Sequence, residues 1–286
     1  MEFWNPGIEI QFFQEALKSF ATPEQLFYKV DNQYFAYIPK TYKAQGQTLQ
    51  SRNALIGQFT EHWCQRLLGP IAKELGLYAV NSVVCEEIGL SKNSSADLAF
   101  CTTEDTLQKP ENIKLIFEIK MSIVSNYTFS HPSTVTFLGD YKSHKGTPSL
   151  LRSDSMLKAI GKAVNIRVSG EAGACVPILV IGNSPITENY VKKVDFLKSA
   201  GVIQGFWSLN PLPADFQGVQ STPKNGFRTM TSEESLLQEC RTLVHERFHY
   251  FSSMLPKKQL GKIIRIAAKE NNEIAVAEKF LSLIHN

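Results

Sequence analysis

The feature that most constrains the fold is an apolar stretch at residues 113–121 that carries both an acid and a base (Ile-Lys-Leu-Ile-Phe-Glu-Ile-Lys-Met). Its β-branched and aromatic residues predict a buried strand. Because successive side chains of a strand point to opposite faces, Glu118 and Lys120 lie on the same face. Burying charged side chains is costly unless they pair with each other or bind an ion. The stretch therefore predicts an internal strand that carries an ion pair or an ion-binding site.

Two further apolar stretches precede this strand, and short connections rich in Gly, Ser, Asn or Pro separate the three. We expect an antiparallel meander with strands at residues 78–85, 96–102 and 113–121. Asp97 lies in the middle strand, 21 residues before Glu118, so pairing of the two strands would let the carboxylates face each other. The two carboxylates and the main-chain carbonyl of Ile119 would form an oxygen-rich pocket suited to Mg²⁺. Lys120 beside this pocket would orient or deprotonate a water molecule and offset the charge of a phosphate.

The remaining pattern predicts helices on both faces of the sheet. Apolar residues repeat at helical spacing over residues 8–30, 53–69, 154–168 and 187–200. Continuous apolar runs predict two more buried strands, at residues 176–181 and 202–209. This order of elements predicts an α/β fold in which helices flank a central mixed five-stranded sheet.

Three polar stretches interrupt this pattern. Residues 34–53 and 125–150 are predicted to be irregular, and residues 211–230 to form a Pro/Gly-rich linker before two C-terminal helices, the second over residues 257–285. A length of 286 residues favours a single domain over residues 1–286. We expect its catalytic core at about residues 50–210 and additional C-terminal helices at about residues 231–286.

Composition excludes several functional classes. A net charge of +3 attracts nucleic acid only where basic residues cluster. Five widely spaced cysteines without a Cys-x-x-Cys pair predict free thiols in a reducing cytoplasm. Neither a signal-peptide pattern nor a long apolar run is present, which predicts a cytoplasmic protein outside the membrane. The phosphate-binding pattern Gly-x-x-x-x-Gly-Lys-Ser/Thr is absent, so we expect no nucleotide cofactor.

The pattern of an aspartate, 20 intervening residues and Glu-x-Lys resembles the PD-(D/E)XK nuclease superfamily, which includes most type II restriction endonucleases. The resemblance covers about residues 50–210, and Ala96 stands where the family usually has proline. It implies a restriction-endonuclease-like fold and Mg²⁺-dependent, sequence-specific cleavage of double-stranded DNA. Asp97, Glu118 and Lys120 would be catalytic, with the first two and the Ile119 carbonyl as metal ligands. Cutting both strands usually needs two active sites, which predicts a homodimer.

Glu61 is a further catalytic candidate. It follows Gly57 by four residues, and this spacing resembles the helix glutamate with which several restriction endonucleases support a metal. However, Glu61 lies nearly opposite the apolar stripe that contains Phe59 and Trp63 on the same predicted helix. A solvated helix position is therefore the alternative interpretation.

Polar segments next to the predicted strands supply candidates for DNA binding. Arg52 belongs to the polar stretch 34–53, which is either a surface loop or an arm that contacts a polyanion. The other candidates, in the segment at residues 125–152, are Asn126, Lys142, Lys145 and Arg152. A repair or recombination nuclease with structure-based specificity is the alternative enzyme, and a non-catalytic DNA-binding module is the alternative outside enzymes.

Overall fold

A mixed six-stranded sheet lies at the centre of the part of the chain that the structure describes. The structure is a computed structural model, and it describes residues 2–19, 21–43, 49–130, 132–211, 218–246, 248–249 and 253–284. The strands are β1 (Tyr28–Val30), β2 (Gln33–Phe35), β3 (Tyr78–Val83), β4 (Ala96–Cys101), β5 (Ile113–Ile119), β6 (Asn126–Ser130), β7 (Thr134–Gly139), β8 (Ile178–Gly182), β9 (Gly205–Ser208) and β10 (Phe227–Thr229). The helices are α1 (Pro6–Ser19), α2 (Pro23–Leu26), α3 (Gln50–Glu74), α4 (Ser153–Val168), α5 (Glu171–Cys175), α6 (Glu188–Ser199), α7 (Glu233–His245), α8 (Lys257–Ala267) and α9 (Glu273–Ile284).

The central sheet has the strand order β10-β9-β8-β5-β4-β3. β3, β4 and β5 form the antiparallel meander predicted from the sequence, whereas β5, β8, β9 and β10 run parallel. The expectation of a mixed α/β sheet flanked by helices is therefore confirmed. The expected number of five strands was one too few, because β10 has only three residues and lies within the stretch predicted as a linker.

Helices cover both faces of this sheet. On one face, apolar residues of α1, α3 and α7 pack against Leu115 and Phe117 of β5. On the other face, α4 and α6 pack against Ile116 of β5 and Val180 of β8. Leu236 and Cys240 of α7 belong to the first core, so α7 packs against the central sheet. The predicted helix at residues 257–285 is in fact two helices, α8 and α9, which pack on each other.

A second, antiparallel sheet has the strand order β1-β2-β6-β7 and was not predicted. The predicted helix over residues 8–30 ends at Ser19, and the chain continues through α2 into β1. The segment at residues 125–150, predicted to be irregular, contains β6 and β7. Buried Tyr127 and Phe129 alternate there with polar residues and pack into the first core. Because about half of the residues in this segment are polar, the sequence was interpreted as an irregular segment and not as a strand.

Some predictions concern residues outside the described part of the chain. These are residue 20 of the predicted helix at 8–30, residues 44–48 and 131 of the predicted irregular stretches, residues 212–217 of the predicted linker and residue 285 of the predicted last helix. Within the described ranges, none of the helices is both long enough and apolar enough to cross a membrane.

Candidate functional site

The pairing of β4 with β5 brings the two predicted carboxylates together. Leu98 pairs with Phe117 in antiparallel register, so Asp97 and Glu118 are the next cross-strand neighbours. Both are close to a strand end, at the second residue of β4 and the next-to-last residue of β5. Their side chains lie at the edge of the core, with 17% of Asp97 and 7% of Glu118 exposed.

Lys120 lies between these carboxylates, whereas the sequence predicted it beside the pocket that they form. Its Nζ is 2.5 Å from Glu118 Oε1 and 3.3 Å from Asp97 Oδ2. It also donates to the main-chain carbonyl of Ile119 (3.0 Å). The main-chain N–H of Ile119 donates to Asp97 Oδ2 at 2.6 Å. Asp97, Glu118, Lys120 and the Ile119 carbonyl therefore form one contiguous cluster.

A second lysine, Lys162 of α4, completes the cluster and was missed by sequence reasoning. Its Nζ lies 3.3 Å from Asp97 Oδ1 and 2.6 Å from Glu118 Oε2. Lys162 reaches the carboxylates because its neighbour Ala163 is buried against the same sheet face. A lysine beside a buried helix position is a weak signal, since such residues usually extend into solvent.

The protonation equilibria of the cluster reflect burial and charge pairing. Burial raises the pKa of Glu118, the neighbouring Asp97 carboxylate raises it further, and the two lysines oppose this. Burial lowers the pKa of Lys120, but the charges of Asp97 and Glu118 outweigh it, so the net pKa is raised. The two carboxylates therefore favour the ammonium form of Lys120, and both predicted roles of this residue, orienting and deprotonating water, stay predictions.

The oxygen atoms of the cluster fit a hard divalent cation. Two carboxylates and one main-chain carbonyl are the ligand types that Mg²⁺ prefers. Glu118 Oε2 is buried, and the Lys162 ammonium lies 2.6 Å from it. A buried carboxylate oxygen needs a cation close to it, and a metal ion could take the place of this ammonium. The donor set is therefore compatible with a metal held by Asp97, Glu118 and Ile119.

Glu61 lies on α3, which packs on the opposite face of the sheet from α4. It is half-buried, and burial raises its pKa, with the Asp97 carboxylate raising it further. Lys120 and Lys162 act on Glu61 in the opposite direction. Glu61 is therefore half-buried and not fully solvated, and its role in the site stays a prediction.

A cleft with a volume of about 800 Å³ begins at the cluster and is lined by Ile119 and Lys120. Its walls come from the start of α3, the residues after β5, and the segment that leads into α4. The charged residues that line it are Arg52, Lys120, Lys145, Arg152, Lys158 and a single acidic residue, Asp154. This excess of positive charge would attract a polyanion to the cluster.

Hydrogen bonds fix the wall of the cleft next to Lys120. Ser149 Oγ donates to the main-chain carbonyl of Lys120 (2.6 Å), and Ser149 N donates to Ser122 Oγ (2.9 Å). The main-chain N–H of Lys120 donates to Ile181 O of β8 (2.7 Å). The backbone of Lys120 is therefore held by two neighbouring segments.

Two of the predicted DNA-binding residues serve the fold instead. Arg52 is buried and donates to the main-chain carbonyls of Leu26 and Ala36. Asn126 is also buried, and its Oδ1 accepts from the main-chain N–H groups of Tyr37 and Tyr127 (2.9 and 3.0 Å). Because these groups are occupied inside the protein, the expectation that Asn126 reads base edges is not supported, and Arg52 contributes only its charge to the cleft.

The three remaining candidates are exposed. Lys145 and Arg152 line the cleft, and Arg152 lies 3.4 Å from Asp154. Lys142 lies in a turn after β7 and is absent from the lining of the cleft. Lys145 and Arg152 are therefore better placed than Lys142 to meet a ligand at the cluster.

A separate group of potential ligands consists of Glu171, Cys175 and His249. One ligand atom from each lies within 4.8 Å of the other two, and His249 Nε2 is 2.8 Å from Glu171 Oε1. A thiol and an imidazole suit softer metals than Mg²⁺. This group therefore has no bearing on the expected magnesium site.

Comparison with known proteins gave no relative. The chain matches no protein-family model, no curated protein and no solved structure. A functional assignment therefore depends on the geometry of the site.

Proposed function

We propose that the protein is a Mg²⁺-dependent endonuclease that hydrolyses phosphodiester bonds in DNA. The observation that carries this proposal is the convergence of Asp97 and Glu118 on Lys120, which itself lines a positively charged cleft. Carboxylates that bind a metal and a fixed ammonium are the parts that phosphodiester hydrolysis requires. A cationic cleft beside them supplies the means to hold a phosphate backbone.

Each part of the chain has a distinct task in this reaction. Asp97, Glu118 and the Ile119 carbonyl would hold the metal, which supplies a Lewis acid and a more acidic water molecule when bound. The Lys120 ammonium, fixed by its backbone contacts, stabilises negative charge that develops on the phosphate oxygens. Lys145, Arg152 and Lys158 neutralise neighbouring phosphates along the cleft.

In its more specific form, the proposal is a type II restriction enzyme that acts on double-stranded DNA as a homodimer. The chain's residues supply one site for one strand, and cutting both strands usually needs a second copy. Arg52 and Asn126 are hydrogen-bonded inside the protein and are not available to contact bases. This observation favours the alternative, a repair or recombination nuclease that recognises backbone shape. Phosphate contacts position a protein on DNA but carry no sequence information.

The test is digestion of long, sequenced duplex DNA with Mg²⁺, followed by mapping of the ends. Discrete fragments that share one short motif support a restriction enzyme. Cuts confined to branches, flaps or mismatches support the alternative nuclease. Intact DNA in every form, with folded protein and Mg²⁺ or Mn²⁺ present, would contradict the proposal.

Lys120→Met provides the matched control for that digestion. The variant keeps most of the length of the side chain and removes the ammonium from between the carboxylates. We expect it to fold and to lose cleavage by about a thousandfold, which corresponds to about 4 kcal/mol of transition-state stabilisation. Full activity of folded Lys120→Met would show that the measured nuclease uses another site.

A further inference from the structure

The two lysines of the cluster divide the carboxylate oxygens between them. Lys120 contacts Asp97 Oδ2 and Glu118 Oε1, while Lys162 contacts Asp97 Oδ1 and Glu118 Oε2. Each ammonium therefore bridges both carboxylates, and the four charges sum to zero. A divalent cation has little electrostatic attraction to such a neutral group until one ammonium leaves.

The two ammonium groups differ in how firmly they are held. Lys120 Nζ makes a hydrogen bond to Glu118 Oε1 and another to the Ile119 carbonyl. Lys162 donates a hydrogen bond to Asp97 Oδ1 (3.3 Å) and lies 2.6 Å from Glu118 Oε2. Among the described residues its partners are therefore the two carboxylates alone, without the main-chain carbonyl that also holds Lys120, and a coordinating cation can replace both contacts.

The two side chains also start from different elements. Lys120 directly follows β5, where its backbone is bonded to Ile181 and Ser149. Lys162 extends from α4, and a lysine side chain has a flexible four-carbon stem. One helical turn earlier on α4, Lys158 lines the cleft. Lys162 can therefore withdraw from the carboxylates without movement of the sheet.

We propose that the Lys162 ammonium occupies the cation position between Asp97 and Glu118 as an intramolecular competitor, and that it withdraws when a divalent cation binds. This inference rests on the proposed function for the identity of the cation. Lys162 then keeps the buried carboxylates paired in the metal-free protein and releases them on metal binding. Removal of the Lys162 ammonium by mutation leaves the site with a net negative charge, which attracts a cation more strongly.

The test is titration of the DNA-free protein with Mn²⁺, in which electron paramagnetic resonance reports the free ion. We expect Lys162→Met to bind Mn²⁺ about tenfold more tightly than the wild type, because no ammonium competes with the ion at this position. A tenfold change in affinity corresponds to about 1.4 kcal/mol of binding free energy. Lys158→Met removes a lysine from the same helix that has no contact with either carboxylate, so we expect a change below about twofold. We expect Asp97→Asn to abolish tight Mn²⁺ binding in the wild type and in Lys162→Met.

Two results would overturn the inference. One is an unchanged or weaker affinity in folded Lys162→Met, and the other is an equal gain in Lys158→Met. If Lys162→Met does not fold, Lys162→Gln provides the same comparison with a polar side chain. Cleavage is measured separately, so tighter Mn²⁺ binding in a protein without nuclease activity refutes only the proposed function. Nuclease activity with unchanged Mn²⁺ affinity refutes only the role of Lys162.

Discussion

Asp97 accepts a hydrogen bond from the main-chain N–H of Ile119 at 2.6 Å. This contact ties the start of β4 to the end of β5 and fixes the carboxylate beside Glu118. Because the donor is a backbone group, the side chain at position 97 is oriented by the sheet itself. The sheet therefore contributes to the orientation of Asp97 in addition to the contacts with Lys120 and Lys162.

Asp97→Asn should separate the structural role of this residue from its chemical role. The amide oxygen of asparagine can still accept from Ile119 N, but the two lysines then share one carboxylate, so we expect the free energy of unfolding to fall by about 2 kcal/mol. Loss of the charge should reduce DNA cleavage by about a thousandfold or more. Denaturant unfolding and a cleavage assay on the same preparation check both parts. A folded variant with wild-type cleavage would remove Asp97 from the site.

Glu61→Gln should raise the Mg²⁺ concentration needed for half-maximal cleavage. Burial raises the pKa of Glu61 and the Asp97 charge raises it further, so the prediction takes Glu61 as a supporting carboxylate of the site. Loss of a supporting carboxylate typically weakens metal affinity by about tenfold. The control is Glu74→Gln, which changes the other carboxylate of α3 far along the helix. Identical Mg²⁺ titrations for Glu61→Gln and wild type would leave Glu61 as an ordinary helix residue.

The central part of the site could be predicted because it depends on local pattern. Strand alternation places Glu118 and Lys120 on one face, and the short connection to the preceding strand makes antiparallel pairing the simplest arrangement. The pairing of Asp97 with Glu118 follows from those two facts. The same reasoning found the buried strand β8, whose residues are all apolar or glycine.

The remaining parts depend on tertiary contacts that leave no local pattern. Lys162 contacts the carboxylates because of how α4 is rotated on the sheet, and its sequence context is that of any amphipathic helix. Arg52 and Asn126 occur in polar stretches, yet their partners are backbone groups distant in sequence. Their burial follows from the second sheet, whose short strands the polar alternation had concealed.

Glu9→Gln should destabilise the protein although it preserves the shape of the side chain. Glu9 is buried, and its carboxylate accepts four hydrogen bonds, from Trp4 Nε1 (2.9 Å), Val124 N (2.7 Å), Ser125 N (3.0 Å) and Tyr127 OH (2.7 Å). In glutamine, an NH₂ group replaces one carboxylate oxygen. This group would face N–H or O–H groups that need an acceptor and would leave them unpaired. We expect the free energy of unfolding to fall by about 3 kcal/mol, measured in urea. The exposed Glu15→Gln on the same helix should cost less than about 0.5 kcal/mol, and an equal effect of both changes would contradict this role.

His144 should make the stability of the protein sensitive to mildly acidic pH. Its buried ring stacks on Tyr37, its Nε2 lies 2.9 Å from the Val124 carbonyl, and its Nδ1 accepts from Gly146 N (3.0 Å). Protonation of Nδ1 would break the last of these bonds. Burial lowers the pKa of His144 below its usual value of 6.5, and the nearby charge of Arg52 contributes in the same direction.

The folded protein therefore binds fewer protons than the unfolded chain between the lowered pKa and about 6.5. The resulting stability is fully present above pH 6.5 and is lost as the pH falls through this window. We expect the free energy of unfolding to fall more steeply from pH 7.5 to pH 5 in the wild type than in His144→Gln. His62→Gln, which changes an exposed histidine of α3, should follow the wild type. If His144→Gln loses stability as steeply as the wild type over this range, the acid sensitivity arises from other groups.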